Sequence, residues 1–209
     1  MATVKRIYFK NLVNFSEDNS CLSIVKRKKP KEADEFFNSI LLNSFNVNAV
    51  IYKKSIMKDI NNILSKVISK EVKKLSFFNF WIKDMVKISK TFFKILGKDS
   101  IYYSLETSRG CKRYHIDNVP IRILVTYFGK GTEWLPSNAC NYDAYYAGKS
   151  NQQILRDNKI IKYLNPWEVA IFKGQKFNIG NKGILHRTPD AALNKKSLLM
   201  RLDDSSLFS

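Results

Sequence analysis

The chain contains two histidines. One lies in the triplet His115-Ile116-Asp117 and the other in Leu185-His186-Arg187, 71 residues further on. In an extended strand, residues i and i+2 project from the same face. The imidazole of His115 and the carboxylate of Asp117 can therefore point together into an interior while Ile116 faces away. A later strand can bring His186 across as a third ligand. Two imidazoles and one carboxylate on one face of an octahedron leave three positions open, the donor set of non-haem iron(II) oxygenases. The open positions admit a bidentate oxo-acid and dioxygen. His115, Asp117 and His186 are thus the expected metal ligands and catalytic centre.

Other residues are placed to serve such a centre. The triplet closes a turn at Arg109-Gly110 and precedes a strong strand, on which parity puts Arg122, Leu124 and Thr126 on one face. Arg201 follows His186 on an expected final strand, from which it can hold a cosubstrate carboxylate. Arg122, with Thr126 beside it, is a rival for that task, and Arg187 is a third candidate. Arginine suits the role through its planar, bidentate donors. Glu133 and Trp134 follow Gly129-Lys130-Gly131, so they are expected at a hairpin tip on a barrel rim. There they would border a substrate pocket with Arg187. Tyr142, Tyr145 and Tyr146 fall in residues 136–158, a stretch long enough for a lid.

The elements that must carry these residues differ between the two halves. After residue 100, Ile101–Leu105, Ile121–Phe128, Trp167–Phe172 and Ser197–Leu202 are β-prone and separated by Gly, Pro and Asn turns. That pattern predicts a barrel or sandwich. Residues 1–30 hold short β-prone pieces, Arg6–Phe9 and Leu22–Val25. Residues 32–98 have helical spacing: Phe36, Phe37, Ile40, Leu41 and Phe45; then Ile56, Ile60, Ile63, Leu64, Val67 and Ile68; then about Phe77 to Leu96, ending at Gly97. The cluster Phe77, Phe78, Phe80 and Trp81 sits at helical spacing and is expected to pack, not to stack bases. The domain expectation is a mostly helical region, 1–98, packed on a barrel domain, 99–209, as one compact unit.

Charge does not redirect this reading. The formal net charge is +18, which raises a nucleic-acid-binding module as an alternative. Residues 1–100 carry 20 Lys+Arg against 9 Asp+Glu and residues 101–209 carry 16 against 9, so the excess is spread along the chain. The one dense run is Lys26-Arg27-Lys28-Lys29-Pro30-Lys31. No apolar run reaches the ~18 residues of a membrane span, and the first residues lack a signal peptide's apolar stretch; the expectation is a cytoplasmic protein. Cys21, Cys111 and Cys140 are odd in number with no CxxC pair, which argues against a disulfide framework or a cysteine-rich zinc site. Cys111 lies four residues before His115.

The run from Cys111 through His115-Ile-Asp117, Arg122, Thr126-Tyr127 and Gly129-Lys-Gly131-Thr132-Glu133-Trp134-Leu135-Pro136 strongly resembles the bacterial domain-of-unknown-function family 1826. So do Val169–Gly174 and His186-Arg187-Thr188-Pro189. The resemblance covers about residues 105–204. More broadly the chain is similar to the double-stranded β-helix superfamily of cupins and 2-oxoglutarate oxygenases. That likeness implies an α+β protein built on a jelly-roll, cupin-like barrel. It implies iron(II) on His115, Asp117 and His186, with 2-oxoglutarate as cosubstrate and an unknown substrate oxidised. Zinc or manganese could occupy the same donors. Arg201 lies 15 residues after His186, further than is usual for a cosubstrate anchor. The rival reading is a non-catalytic cupin-like protein of metal homeostasis.

Overall fold

Residues 121–128 alternate Ile121, Ile123, Val125 and Tyr127 with Arg122, Leu124 and Thr126, and they form the central strand β5 (Ile121–Phe128) of a seven-stranded sheet. The computed structural model describes residues 2–41, 43–157, 160–177, 183–193 and 195–208. The other strands of this sheet are β1 (Val4–Ile7), β2 (Leu22–Val25), β3 (Asn46–Tyr52), β4 (Ser100–Glu106), β8 (Val169–Lys173) and β10 (Leu198–Asp204). Their spatial order is β1-β2-β8-β5-β10-β4-β3. All neighbours are antiparallel except β1 and β2. A second sheet contains β6 (Glu133–Trp134), β7 (Lys162–Tyr163) and β9 (His186–Arg187), in the order β7-β6-β9.

The alternation in β5 sorts the large sheet into two faces. Ile121, Ile123, Val125 and Tyr127 join Met200, Leu202, Tyr103 and Leu105 in the main core. Against them pack α1 (Ala33–Ile40), α2 (Ile56–Leu64) and α4 (Ser76–Leu96), with the short α3 (Lys70–Lys73) between the last two. In α4 the buried residues Phe78, Trp81, Ile82, Met85, Ile88, Phe92 and Ile95 recur at three- and four-residue spacing, as a helix facing a sheet requires. It ends where expected, at Gly97, whose φ of 64° is the left-handed cap conformation. Phe78 and Trp81 are buried and Phe77 packs against Phe36, so most of the aromatic cluster is packing; Phe80 remains half exposed.

Residues 1–98 are not mostly helical. They supply three strands of the large sheet besides α1–α4. β3 lies inside the region with helical spacing. Its Val47, Ala49 and Ile51 alternate toward the core while Asn46, Asn48 and Val50 face out, and its backbone pairs with all of β4. The expected barrel takes the form of two facing sheets in a mixed α/β fold. Trp134 of β6 clusters with Leu22, Ile24, Leu124, Ala170 and Phe172 of the large sheet. Hydrogen-bonded strands do not join the two sheets among the described residues. No described helix is long and apolar enough to cross a membrane.

The stretch from residue 136 is short helices, not irregular chain. α5 (Tyr142–Tyr146) and α6 (Asn151–Ile154) follow a 3-10 turn. Residue 158, where the expected loop ends, lies outside the described residues. Tyr145 reaches back to accept a hydrogen bond from the backbone N–H of Ile116 at 3.3 Å.

Candidate metal centre

His115 and His186 face each other as an isolated antiparallel bridge and exchange both backbone hydrogen bonds, each 3.0 Å. His186 belongs to β9 as expected. The strand expected around Asp117 does not form: extended pairing stops at His115, and the chain bends through residues 118–120 into β5. Backbone bonds from the end of β8 hold the bend instead. Gly174 N–H donates to the carbonyl of Pro120 and Gln175 N–H to that of Asp117, both at 2.9 Å. A Cβ on Gly174 would stand 2.4 Å from the Asp117 carbonyl oxygen and 2.2 Å from that of Val119. Gly174→Ala should therefore push the Asp117 turn away. The expected result is a drop in metal affinity of at least tenfold, with a lower melting temperature. Affinity equal to wild type in a competition titration with a chelating dye would show that the turn does not depend on that approach.

The side chains converge from these anchor points. His115 Nε2 lies 3.5 Å from Asp117 Oδ1, and His186 Nε2 lies 3.3 Å from Asp117 Oδ2. One donor atom from each residue lies within 4.8 Å of the others. Ligands about 2.1 Å from a metal and at right angles to one another stand about 3 Å apart, so little movement is needed. Both Nδ1 atoms are taken: His115 donates to the Arg113 carbonyl at 2.9 Å and His186 to that of Ile184 at 3.0 Å. A carbonyl can only accept, so each neutral ring carries its proton on Nδ1 and presents a bare Nε2 to the centre. Asp117 Oδ2 is buried and has no hydrogen-bond partner. A buried carboxylate oxygen left in that state is costly, and a cation between the three residues would satisfy it. The donor set fits a divalent metal.

Charge around the centre is arranged for the same end. Burial works to raise the Asp117 carboxyl, but His186, His115 and Arg122 outweigh it and hold it well below the usual carboxylate range. Burial works to lower His115, but the Asp117 carboxylate outweighs it, and the ring is raised overall. Arg122 contacts Asp117 Oδ1 and binds Asp203 through Nε at 2.7 Å and Nη2 at 2.9 Å. It fixes the carboxylate that faces the histidines. His186 is buried against Phe172, whereas the His115 side chain is 30% exposed and forms the open edge.

The residues expected around the centre are distributed unevenly. Arg122, Arg187 and Arg201 line the same cavity as the triad, as does Leu124 on the Arg122 face. Arg201 is held by Glu106 at 3.0 Å and approaches Asp203 at 3.3 Å. Thr126 is buried on the Arg122 face without a partner for its hydroxyl, but it does not line that cavity. Glu133 and Trp134 are not at a hairpin tip. They form the middle strand of the small sheet, and both are buried. Glu133 accepts from Tyr114 and from Arg187 Nε at 2.8 Å, and it does not line the cavity. Trp134 pairs with His186 in register and serves the core behind it. Arg109, Glu106, Thr132 and Leu199 also line the cavity and were not expected there. Cys111 presents an exposed thiol at the same place.

The family model described as "Protein of unknown function (DUF1826)" matches residues 8–203. The chain belongs to this family. The match extends through the helices and β2–β3, so the DUF1826 unit includes both layers of the fold and not the His-Asp-His half alone. No curated protein matches the chain. Among solved structures, the DUF1826 chain is similar to the Fe(II)/α-ketoglutarate-dependent dioxygenase TqaL, at 9% identity and TM-score 0.47, covering 93% of this chain and 84% of that one. It is similar to the Arabidopsis thaliana dioxygenase for auxin oxidation 1 at 9% identity and TM-score 0.43, covering 97% and 93%. It is also similar to an oxidoreductase of the 2OG-Fe(II) oxygenase family from Burkholderia pseudomallei, at 5% identity and TM-score 0.38, covering 96% and 93%.

Proposed function

We propose that this chain is a non-haem iron(II) oxygenase that uses a 2-oxo acid, with 2-oxoglutarate the expected one, to oxidise an unidentified substrate. The observation that carries the proposal is the convergence of two bare imidazole nitrogens on the Asp117 carboxylate, whose Oδ2 is buried and unpartnered. His115, Asp117 and His186 would hold the metal. When bound, iron supplies a Lewis acid and a redox centre for dioxygen chemistry.

The chain's own residues prepare that position. The carbonyls of Arg113 and Ile184 fix both imidazole tautomers. Together with His186 and His115, Arg122 keeps Asp117 ionised, and its bond to Oδ1 holds the carboxylate in place. Leu124, Leu199 and Phe172 give the centre an apolar wall that excludes water, and the exposed edge of His115 leaves a side for entry. A second reading, metal holding without turnover, draws on Cys111, whose position on the cavity offers a thiol beyond the three ligands.

Adding millimolar 2-oxoglutarate to the iron-loaded protein under nitrogen should produce a visible charge-transfer band. Zinc-loaded protein should give none. If iron binds stoichiometrically and no band develops, the oxygenase reading fails and metal holding is the better account.

A further inference from the structure

Four arginines line the cavity beside the triad: Arg109, Arg122, Arg187 and Arg201. Three are matched by carboxylates. Arg122 contacts Asp117 and holds Asp203; Arg187 holds Glu133 and Asp190, each at 2.8 Å; Arg201 holds Glu106 at 3.0 Å. Arg109 makes no ion pair among the described residues, although it is only 6% exposed. Its Nη1 donates to the Lys130 carbonyl at 2.6 Å and its Nη2 to Thr132 Oγ1 at 2.9 Å, both neutral acceptors. Its Nε is buried with no partner.

A guanidinium taken out of water without a carboxylate bonded to it is costly, and Glu106 acts on Arg109 only through space. Here the cost falls on a residue that faces a cavity, and the two neutral bonds fix the guanidinium plane while leaving donors unused. Such a group is preorganised for a planar anion. Arg201 is placed less well. Its guanidinium already carries Glu106 in a direct ion pair, which an arriving carboxylate would have to displace.

We infer that Arg109, and not Arg201, holds the second carboxylate of a dicarboxylic 2-oxo acid whose oxo-acid end faces the His115–Asp117–His186 centre. The inference rests on the metal-centre reading above. It assigns the anchor to the segment entering the first histidine, where it is steadied by the turn at residues 130–132, and leaves the final strand to support Arg122 through Asp203.

The test uses zinc-loaded full-length protein, in which no turnover occurs, and calorimetric titration with two probes. One is 2-oxoglutarate; the other is 2-oxopentanoate, of the same chain length without the second carboxylate. Wild type should prefer the dicarboxylate by at least tenfold. Arg109→Gln should reduce the preference to near unity while zinc uptake stays stoichiometric, and Arg201→Gln should leave it standing. A purely structural role for Arg109 would change both probes alike. A preference that survives Arg109→Gln, or that is lost in Arg201→Gln, overturns the assignment. Should Arg109→Gln also lose zinc, Arg109→Lys carries the test: it keeps the buried charge without the fork, so the preference should fall severalfold, and an unchanged preference counts against the assignment. Zinc bound by wild type with no dicarboxylate preference overturns this inference and leaves the metal centre standing. No zinc uptake by wild type overturns the metal reading and this inference with it.

Discussion

His115→Ala and His186→Ala are each expected to abolish stoichiometric metal binding while the fold survives. Only three protein donors converge on the centre among the described residues, and removing a partner of such donors already costs roughly 10–100-fold in affinity; removing a donor should exceed that. The fold should tolerate both changes for different reasons. The His115 side chain is partly exposed, and its structural tie to His186 runs through backbone atoms that alanine keeps. The His186 ring is buried against Phe172, so alanine there leaves a cavity, with a cost of about 2–5 kcal/mol by analogy with other large-to-small core changes. That fits within the usual ~5–15 kcal/mol stability of a domain but should show as a lower melting temperature. Metal content after gel filtration, read beside a thermal melt, separates the two effects. Full occupancy in either variant would mean that the triad is not the site.

Truncation should have the other large effect. A chain starting at residue 99, or one lacking 32–98, is expected to precipitate. The first would lose β1, β2 and β3, and both would strip the helices from the outer face of β5, β10 and β4. In α4 alone, Trp81, Ile82, Met85, Phe92 and Phe93 are at most 2% exposed. At ~1.5–3 kcal/mol for each buried large apolar side chain, their loss matches the whole stability of a domain. A soluble 99–209 fragment that binds metal with wild-type stoichiometry would show that the two-sheet half folds alone. The domain division at residue 98 would then stand as a physical boundary.

What could be read from the sequence follows the range of the forces involved. β5 and α4 were legible because one face of each is apolar at strict period and their ends carry local signals, such as Gly97. The pairing of His115 with Asp117 was legible for a partly different reason than expected: both side chains reach the centre, but strand pairing stops at His115 and a bend follows Asp117. β3 was missed because Asn46 and Asn48 break its apolar content and it is defined by pairing with β4, whose partners lie 48 to 60 residues on. The rim position given to Glu133 failed because a carboxylate is buried only when a partner is supplied, and Arg187, 54 residues on, supplies it. Arg109 carries no local signal at all. Its importance depends on which neighbours in space bond it, and those are a carbonyl and a hydroxyl.

The backbone bridge between His115 and His186 has a consequence for strand alignment. β6 and β9 are two residues each, so few backbone hydrogen bonds hold their alignment. A slip of one residue would place Leu185 or Arg187 opposite His115 and turn an apolar or cationic side chain into the centre. Only the native alignment lets both imidazoles share a ligand with Asp117. A bound metal would therefore act as a pawl on the small sheet, adding its own hold on the alignment that Trp134 and the Glu133–Arg187 ion pair already favour. Because β9 in turn fixes β6, that choice would propagate to Trp134 and to the apolar cluster that seats the small sheet on the large one.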